Sequence, residues 1–149
     1  MYELEVDIQT ADGLMNTFIT RPEDDRVYPM VLFLMDAPGK REELHDMARR
    51  IATVGYYVML PNLYYRTTRE FVIGPDNREE MFGHMNALSN AMVCNDIQSM
   101  FDYASTDSAA GGGEGPHTPT ATATRRHPQP WRRRLSQSSS RPKGNRPQA

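Results

Sequence analysis

Residues 29–66 read PMVLFLMDAPGKREELHDMARRIATVGYYVMLPNLYYR, and this stretch decides the fold. Val31 to Met35 is an unbroken apolar run, too short to span a membrane and bounded by Pro29 and Asp36. That pattern predicts a strand buried on both faces. Asp36-Ala37-Pro38-Gly39 is a turn. From Arg41 to Thr53 the apolar residues Leu44, Met47, Ala48, Ile51 and Ala52 recur at helical spacing, as in a helix that lays one stripe on a sheet. Gly55 ends the helix, Tyr56 to Leu60 is a second apolar run, and Pro61-Asn62 stops it. Strand, helix, strand is a βαβ unit, whose right-handed crossover makes its strands parallel neighbours, or nearly so, in a sheet with helices on its faces.

Upstream, Tyr2, Leu4, Val6 and Ile8 alternate with Glu3, Glu5 and Asp7, the period of a strand wet on one face. A turn centred on Asp12-Gly13 joins it to a second strand, Leu14 to Thr20, so the chain opens with a hairpin. Arg21 to Arg26 is a polar connection. Downstream, Thr67 to Asn77 has no clear period and reads as a loop. Met81, Met85, Leu88, Met92, Ile97, Met100, Phe101 and Ala104 then fall mostly at helical spacing, with a weak stretch from Asn86 to Cys94 that leaves one helix or two. Their expected job is to cover the sheet. The next buried strand of a βαβ series is then due, but Gly, Thr, Pro, Arg and Ser follow instead, so the strand is expected to be missing and residues 107–149 disordered.

The net charge of −2 hides a split. From Ser105 onward eight basic residues face two acidic ones, while residues 1–104 hold nine basic and seventeen acidic. The later segment has no Val, Ile, Phe, Tyr or Met and only Trp131 and Leu135 as sizeable apolar groups, so it cannot bury a core. The organisation expected is a domain over residues 1–104 and a basic tail over 105–149. No signal peptide or membrane helix is read, and the single Cys94 fits a reducing, cytoplasmic compartment.

Thr10-Ala11-Asp12-Gly13, Arg21-Pro22, the buried strand ending in Asp36, Gly55-Tyr56 and Leu60-Pro61-Asn62-Leu63-Tyr64-Tyr65-Arg66 together resemble the start of the dienelactone hydrolase family. The likeness covers residues 3–104. It implies a truncated α/β-hydrolase sheet of class α/β (hairpin, βαβ unit and covering helix), and at family level hydrolysis of small lactones or esters without a cofactor. The family's chemistry is acyl transfer from a nucleophilic Cys in G-x-C-x-G on a strand-to-helix turn, with Asp and His following later. Neither G-x-C-x-G nor G-x-S-x-G occurs here. The resemblance places Asp36 where the family has an acidic residue, usually Glu, contacting the resting thiol. The Ala37 N–H falls where half of an oxyanion hole is supplied. Arg78 and Phe82 fall near where some members hold a substrate carboxylate with Arg and Tyr. Asn62 replaces the more usual Asp, and Met35 a common His. With neither nucleophile nor histidine partner, the chain as written is expected to be inactive, and the free edge of the Val31–Met35 strand is expected to favour self-association and poor solubility.

Each candidate also has a structural reading. Asp36 suits a ligand site at a strand's carboxyl end as well as a helix cap, and the resemblance tips it to the site. Cys94, with no neighbouring Gly and no His at a useful spacing, reads as a buried or half-buried structural thiol. His45 and His84 read as packed or solvated, and no metal-ligand spacing occurs. A non-catalytic α/β binding module is disfavoured, because Asp36 to Lys40 lacks the glycines that cradle phosphate. The cluster from Trp131 to Arg134 suits nucleic-acid phosphates, against which a solvated tail is preferred. A third reading explains the abrupt loss of core residue types: a frameshift near Ser108, for which Thr120 to Ala123 read two bases later permits Gly-Tyr-Cys.

Overall fold

The computed structural model of the chain describes residues 1–111. Strands β1 (Tyr2–Thr10) and β2 (Gly13–Arg21) form the expected hairpin, paired antiparallel from Tyr2↔Arg21 to Thr10↔Gly13. The reversal needs Gly13, whose φ of +136° is closed to residues with a Cβ. The βαβ unit is β3 (Tyr28–Leu32), α1 (Glu42–Thr53) and β4 (Tyr57–Pro61), its strands parallel neighbours from Met30↔Tyr57 to Leu32↔Met59. Helices α2 (Arg78–Asn86) and α3 (Asn90–Ala104) follow, and β5 (Ala110–Gly111) closes the sheet in the order β1-β2-β4-β3-β5. Among the described residues no helix is long and apolar enough to cross a membrane.

The sheet has a core on each face. On one, Phe18, Val58 and Leu60 meet Leu44, Ala48 and Ala52 of α1, whose two alanines let the helix approach closely. On the other, Ile8, Met15, Ile19, Tyr57 and Met59 meet Met100 and Ala104 of α3. The acids of β1 lie on the α1 side, and each finds a cation: Glu3 with Arg49 at 2.9 Å, Glu5 with Lys40 at 2.7 Å and Asp7 with Arg69 at 3.0 Å. Such partly exposed pairs are each worth under about 1 kcal/mol.

A deeper polar network ties the hairpin turn to the loop after β4 and to α3. Asp96 is buried and accepts two N–H groups of Arg66 at 2.8 Å and the Tyr65 hydroxyl at 2.8 Å. Arg66 also reaches Asp12, and the Tyr65 hydroxyl lies 2.7 Å from that of Thr10. Removing one partner of a buried charge pair typically costs about 3–5 kcal/mol. The network therefore fastens three segments that share no local sequence pattern.

Several expectations are corrected. The strand buried throughout is β4, whereas Val31 to Met35 is half-buried or, at Leu34, exposed. Only Tyr28–Leu32 is strand, because the neighbour expected on its outer side is short: β5 pairs through Tyr28↔Ala110 and Pro29↔Gly111 alone. A strand does stand after α3, where none was expected. Met47 is exposed, since α1 turns the row 44, 48, 52 to the sheet. The weak stretch in the last helical region is a true break at residues 87–89, where the Ser89 hydroxyl caps α3 by accepting from the Met92 N–H at 3.2 Å. Beyond the break Asp96, Met100 and Ala104 face inward, leaving Cys94 exposed rather than buried. The tail readings from Gly112 onward, with His117, His127 and Trp131, lie outside the described residues.

Candidate active site

The carboxyl ends of β3 and β4 open into two loops, residues 33–41 and 62–77, and Asp36 and Ala37 lie in the first of them. In the first, the Gly39 N–H donates to the Asp36 carbonyl at 2.9 Å and closes the turn. Gly39 has φ +87°, and a Cβ there would touch the rings of Phe71 and Tyr64 at 3.6 and 3.7 Å. The space admits a Cβ at ordinary contact distance, so it is the positive φ that favours glycine at this position.

Asp36 does not cap α1, whose N-terminal residue Arg41 has no side-chain cap. Instead the Arg41 guanidinium forks its carboxylate, Nη2 donating to Oδ2 at 3.0 Å and Nη1 to Oδ1. These bonds hold the Asp36 carboxyl below its ordinary range, against the opposing effect of partial burial. Asp36 is thus an anion already paired.

Ala37 is fixed from the other side. The Tyr64 hydroxyl donates to the Ala37 carbonyl at 2.8 Å, and the Ala37 N–H meets no acceptor among the described residues. Burial, and then the charge of Asp36, raises the Tyr64 pKa, so the phenol stays protonated and able to donate. Its ring stacks on His84 with centroids 5.1 Å apart and meets Phe71 edge-on at 6.2 Å, while Met81 and Leu88 pack alongside. His84 Nδ1 lies 2.8 Å from the Thr67 hydroxyl, and His45 stacks on Phe18 at 4.4 Å, so both histidines are packed.

Arg78 and Phe82 occupy exposed positions of α2 and join neither the aromatic cluster nor the neighbouring cavity. That cavity, of about 610 Å³, is lined by Pro38, Lys40, Arg41, Asn62 and Phe71 among others. It shares Arg41 with the Asp36 pair but is lined by neither Asp36 nor Ala37. Tyr64 and Arg41 are the residues that sequence reasoning missed. Arg41 was signalled by its opposite charge five positions from Asp36, and Tyr64 by its place in the quoted Leu63-to-Arg66 motif. The arrangement offers a backbone donor on a braced turn at a strand's carboxyl end, which is able to polarise a carbonyl oxygen. Among the described residues no nucleophile stands beside it.

The model of the dienelactone hydrolase family matches residues 15–114. The chain belongs to this family. A curated relative, the "Putative carboxymethylenebutenolidase" of Methylorubrum extorquens, is 32% identical over 62 residues, which cover 42% of this chain and 21% of that protein. The solved structure of a "Putative Dienelactone Hydrolase" from Klebsiella pneumoniae subsp. pneumoniae superposes with a TM-score of 0.63 at 24% identity, covering 75% of this chain and 46% of that one. That of m3DLH gives a TM-score of 0.62 at 17% identity, covering 74% and 45%. The likeness to these two structures is one of fold, and the chain spans less than half the length of each of these three relatives.

Proposed function

We propose that this dienelactone hydrolase family chain carries the carbonyl-polarising half of a hydrolase for small lactones or esters, and that the 149 residues as written do not turn such substrates over. The observation that supports this most is the turn after β3, where Tyr64 braces the Ala37 carbonyl and the Ala37 N–H has no acceptor among the described residues. A tetrahedral oxyanion is stabilised by fixed donors of this kind, but the bond is broken only by a nucleophile, and the motif that presents one is absent from the sequence. Asp36 is the acidic neighbour for the missing thiol, while Arg78 and Phe82, exposed on α2 outside the cavity, are candidate substrate contacts for a completed domain. Residues 1–104 form the domain and residues 105–149 the basic tail, which is read as out of frame from near Ser108 onward. The single Cys94 supports a cytoplasmic setting.

The test is hydrolysis of p-nitrophenyl acetate and of a butenolide lactone by the purified chain and by a version restored to the alternative frame from Ser108 onward. The chain as written is expected to give the buffer rate and the restored chain turnover. Turnover by the chain as written, lost in Cys94→Ser, overturns the reading. A nucleotide sequence in which no shifted frame yields G-x-C-x-G removes the frameshift.

A further inference from the structure

The cavity of about 610 Å³ is built apart from the Asp36–Ala37 turn. Its lining comes from β1, β2, the turn and first residues of α1 and the loop after β4, with no residue of β3, β5, α2 or α3. Two buried asparagines hold that loop against the sheet. Asn62 Nδ2 lies 2.9 Å from Asn16 Oδ1 and 3.0 Å from the carbonyls of Thr68 and Arg69, and Asn16 Nδ2 donates to the Arg69 carbonyl at 3.2 Å. The cavity is therefore preformed, as ligand sites commonly are. Its apolar part is Pro38, Phe71, Val72 and Ile73, and here Val72 is 81% and Ile73 37% exposed. Adjacent exposed aliphatic side chains beside a cavity suit the hydrocarbon part of a ligand.

The charged residues decide what the rest of that ligand is. Each Lys or Arg of the lining already holds a carboxylate: Lys40 bonds both oxygens of Glu5 at 2.9 and 2.7 Å, Arg69 reaches Asp7 at 3.0 Å, and Arg41 forks Asp36. The carboxylates of the lining are less well matched. Glu42 has to share Arg49 with Glu3 and Asp46, and Glu43 meets only the Arg41 Nε, at 3.4 Å. Both of these also complement the N-terminus of α1. Glu70 lies on a loop with no helix end to answer it, and it forms no ion pair among the described residues. We propose that this cavity binds an organic cation, an ammonium group on an apolar or aromatic body. The ammonium is drawn to Glu70 and Glu43, and the hydrocarbon covers Val72 and Ile73. A carboxylate of the same shape would meet the same acids and displace one of three formed ion pairs. Since the lining includes neither Asp36 nor Ala37, binding here is independent of the hydrolase reading and is measured without turnover.

Amide NMR titrations of the full 149-residue chain at neutral pH test this, with phenethylamine, phenethyl alcohol and phenylacetate as probes of one shape and three charges. Phenethylamine is expected to shift the amides of residues 39–45 and 69–73 saturably, about tenfold more tightly than phenylacetate. Its affinity should fall as sodium chloride is added, while that of the alcohol stays level. Glu70→Gln, at an exposed position, is expected to fold and to weaken the amine about threefold, the scale of an exposed ion pair. Glu79→Gln, on α2 outside the cavity, should leave the amine unchanged. The proposal is overturned by no saturable shift with the amine, by shifts centred elsewhere, or by phenylacetate or the alcohol binding as tightly as the amine. Equal weakening by Glu70→Gln and Glu79→Gln overturns it too, since the attraction would then belong to net charge rather than to this site.

Discussion

Tyr64 and Tyr65 are neighbours in sequence, and they serve opposite sides of the structure. Tyr64 reaches the Ala37 carbonyl, and Tyr65 reaches Thr10 and Asp96. The Leu63-to-Arg66 motif was legible as a family mark, yet nothing in it says which tyrosine braces a turn and which bonds a buried carboxylate. Asp96 and Arg66 are 30 positions apart, so their pairing is a consequence of topology and leaves no local pattern. Asp36 was legible as a residue of interest, while its pairing to Arg41 awaited the shape of the turn. The Tyr65 phenol is pushed up to about 12, by burial first, with the Thr10 hydrogen bond opposing and Asp96 adding to the rise. A raised folded pKa means that the fold holds the neutral phenol, so this contribution to stability is full below pH about 10 and is lost as pH rises through about 12. Tyr57, Tyr64 and Tyr103 are raised as well and share the alkaline limb. In urea titrations from pH 8 to 12, Tyr65→Phe is expected to start less stable and then to lose less stability than the parent. Parallel curves for the two proteins would rule out this role for Tyr65.

At the scale of elements, the hairpin and the βαβ unit were readable, because each rests on local period and turn chemistry, whereas the break between α2 and α3 showed only as a weakened period that left one helix or two. What the apolar run at Val31 to Met35 concealed is lateral. Apolar residues on both faces say that layers cover a strand, and they carry no information on whether its edges are paired. β3 and β4 therefore look equivalent as sequences, while β4, flanked by β2 and β3, is buried at all its positions. The two strands are separable by one substitution each. Leu60 is fully buried under α1, so Leu60→Ala is expected to cost about 2–5 kcal/mol through lost burial and the cavity left behind. Leu34→Ala, at a partly exposed position, is expected to cost about 0.5 kcal/mol. Chemical denaturation of both variants checks the contrast, and a larger loss at Leu34 would restore the original reading of the central strand.

Across the described molecule, both cores converge on β4 and its neighbour β2, which carries Phe18 on one face and Met15 and Ile19 on the other. Tyr57 and Met59 belong to the α3-side cluster and Val58 and Leu60 to the α1-side cluster, so neither face opens without disturbing the other through a shared strand. Helix α2 stands apart from this coupling: it buries only Met81 and is held mainly through the aromatic group around Tyr64. Stability follows the density of buried apolar contact, and segments that contribute little to it open locally at low cost. Native-state hydrogen exchange is therefore expected to show the amides of β4, and of β2 where it pairs with β4 from Thr17 to Thr20, exchanging only through global unfolding. The amides of α2 should exchange orders of magnitude faster, through local opening that urea at low concentration hardly changes. The candidate turn is anchored to both regimes, since Ala37 follows the rigid β3–β4 pair while its Tyr64 brace leans on His84 of α2. Protection of α2 equal to that of β4 would show that the loop after β4 and its aromatic cluster form part of the cooperative core, and the turn would then be as rigid as the sheet that carries it.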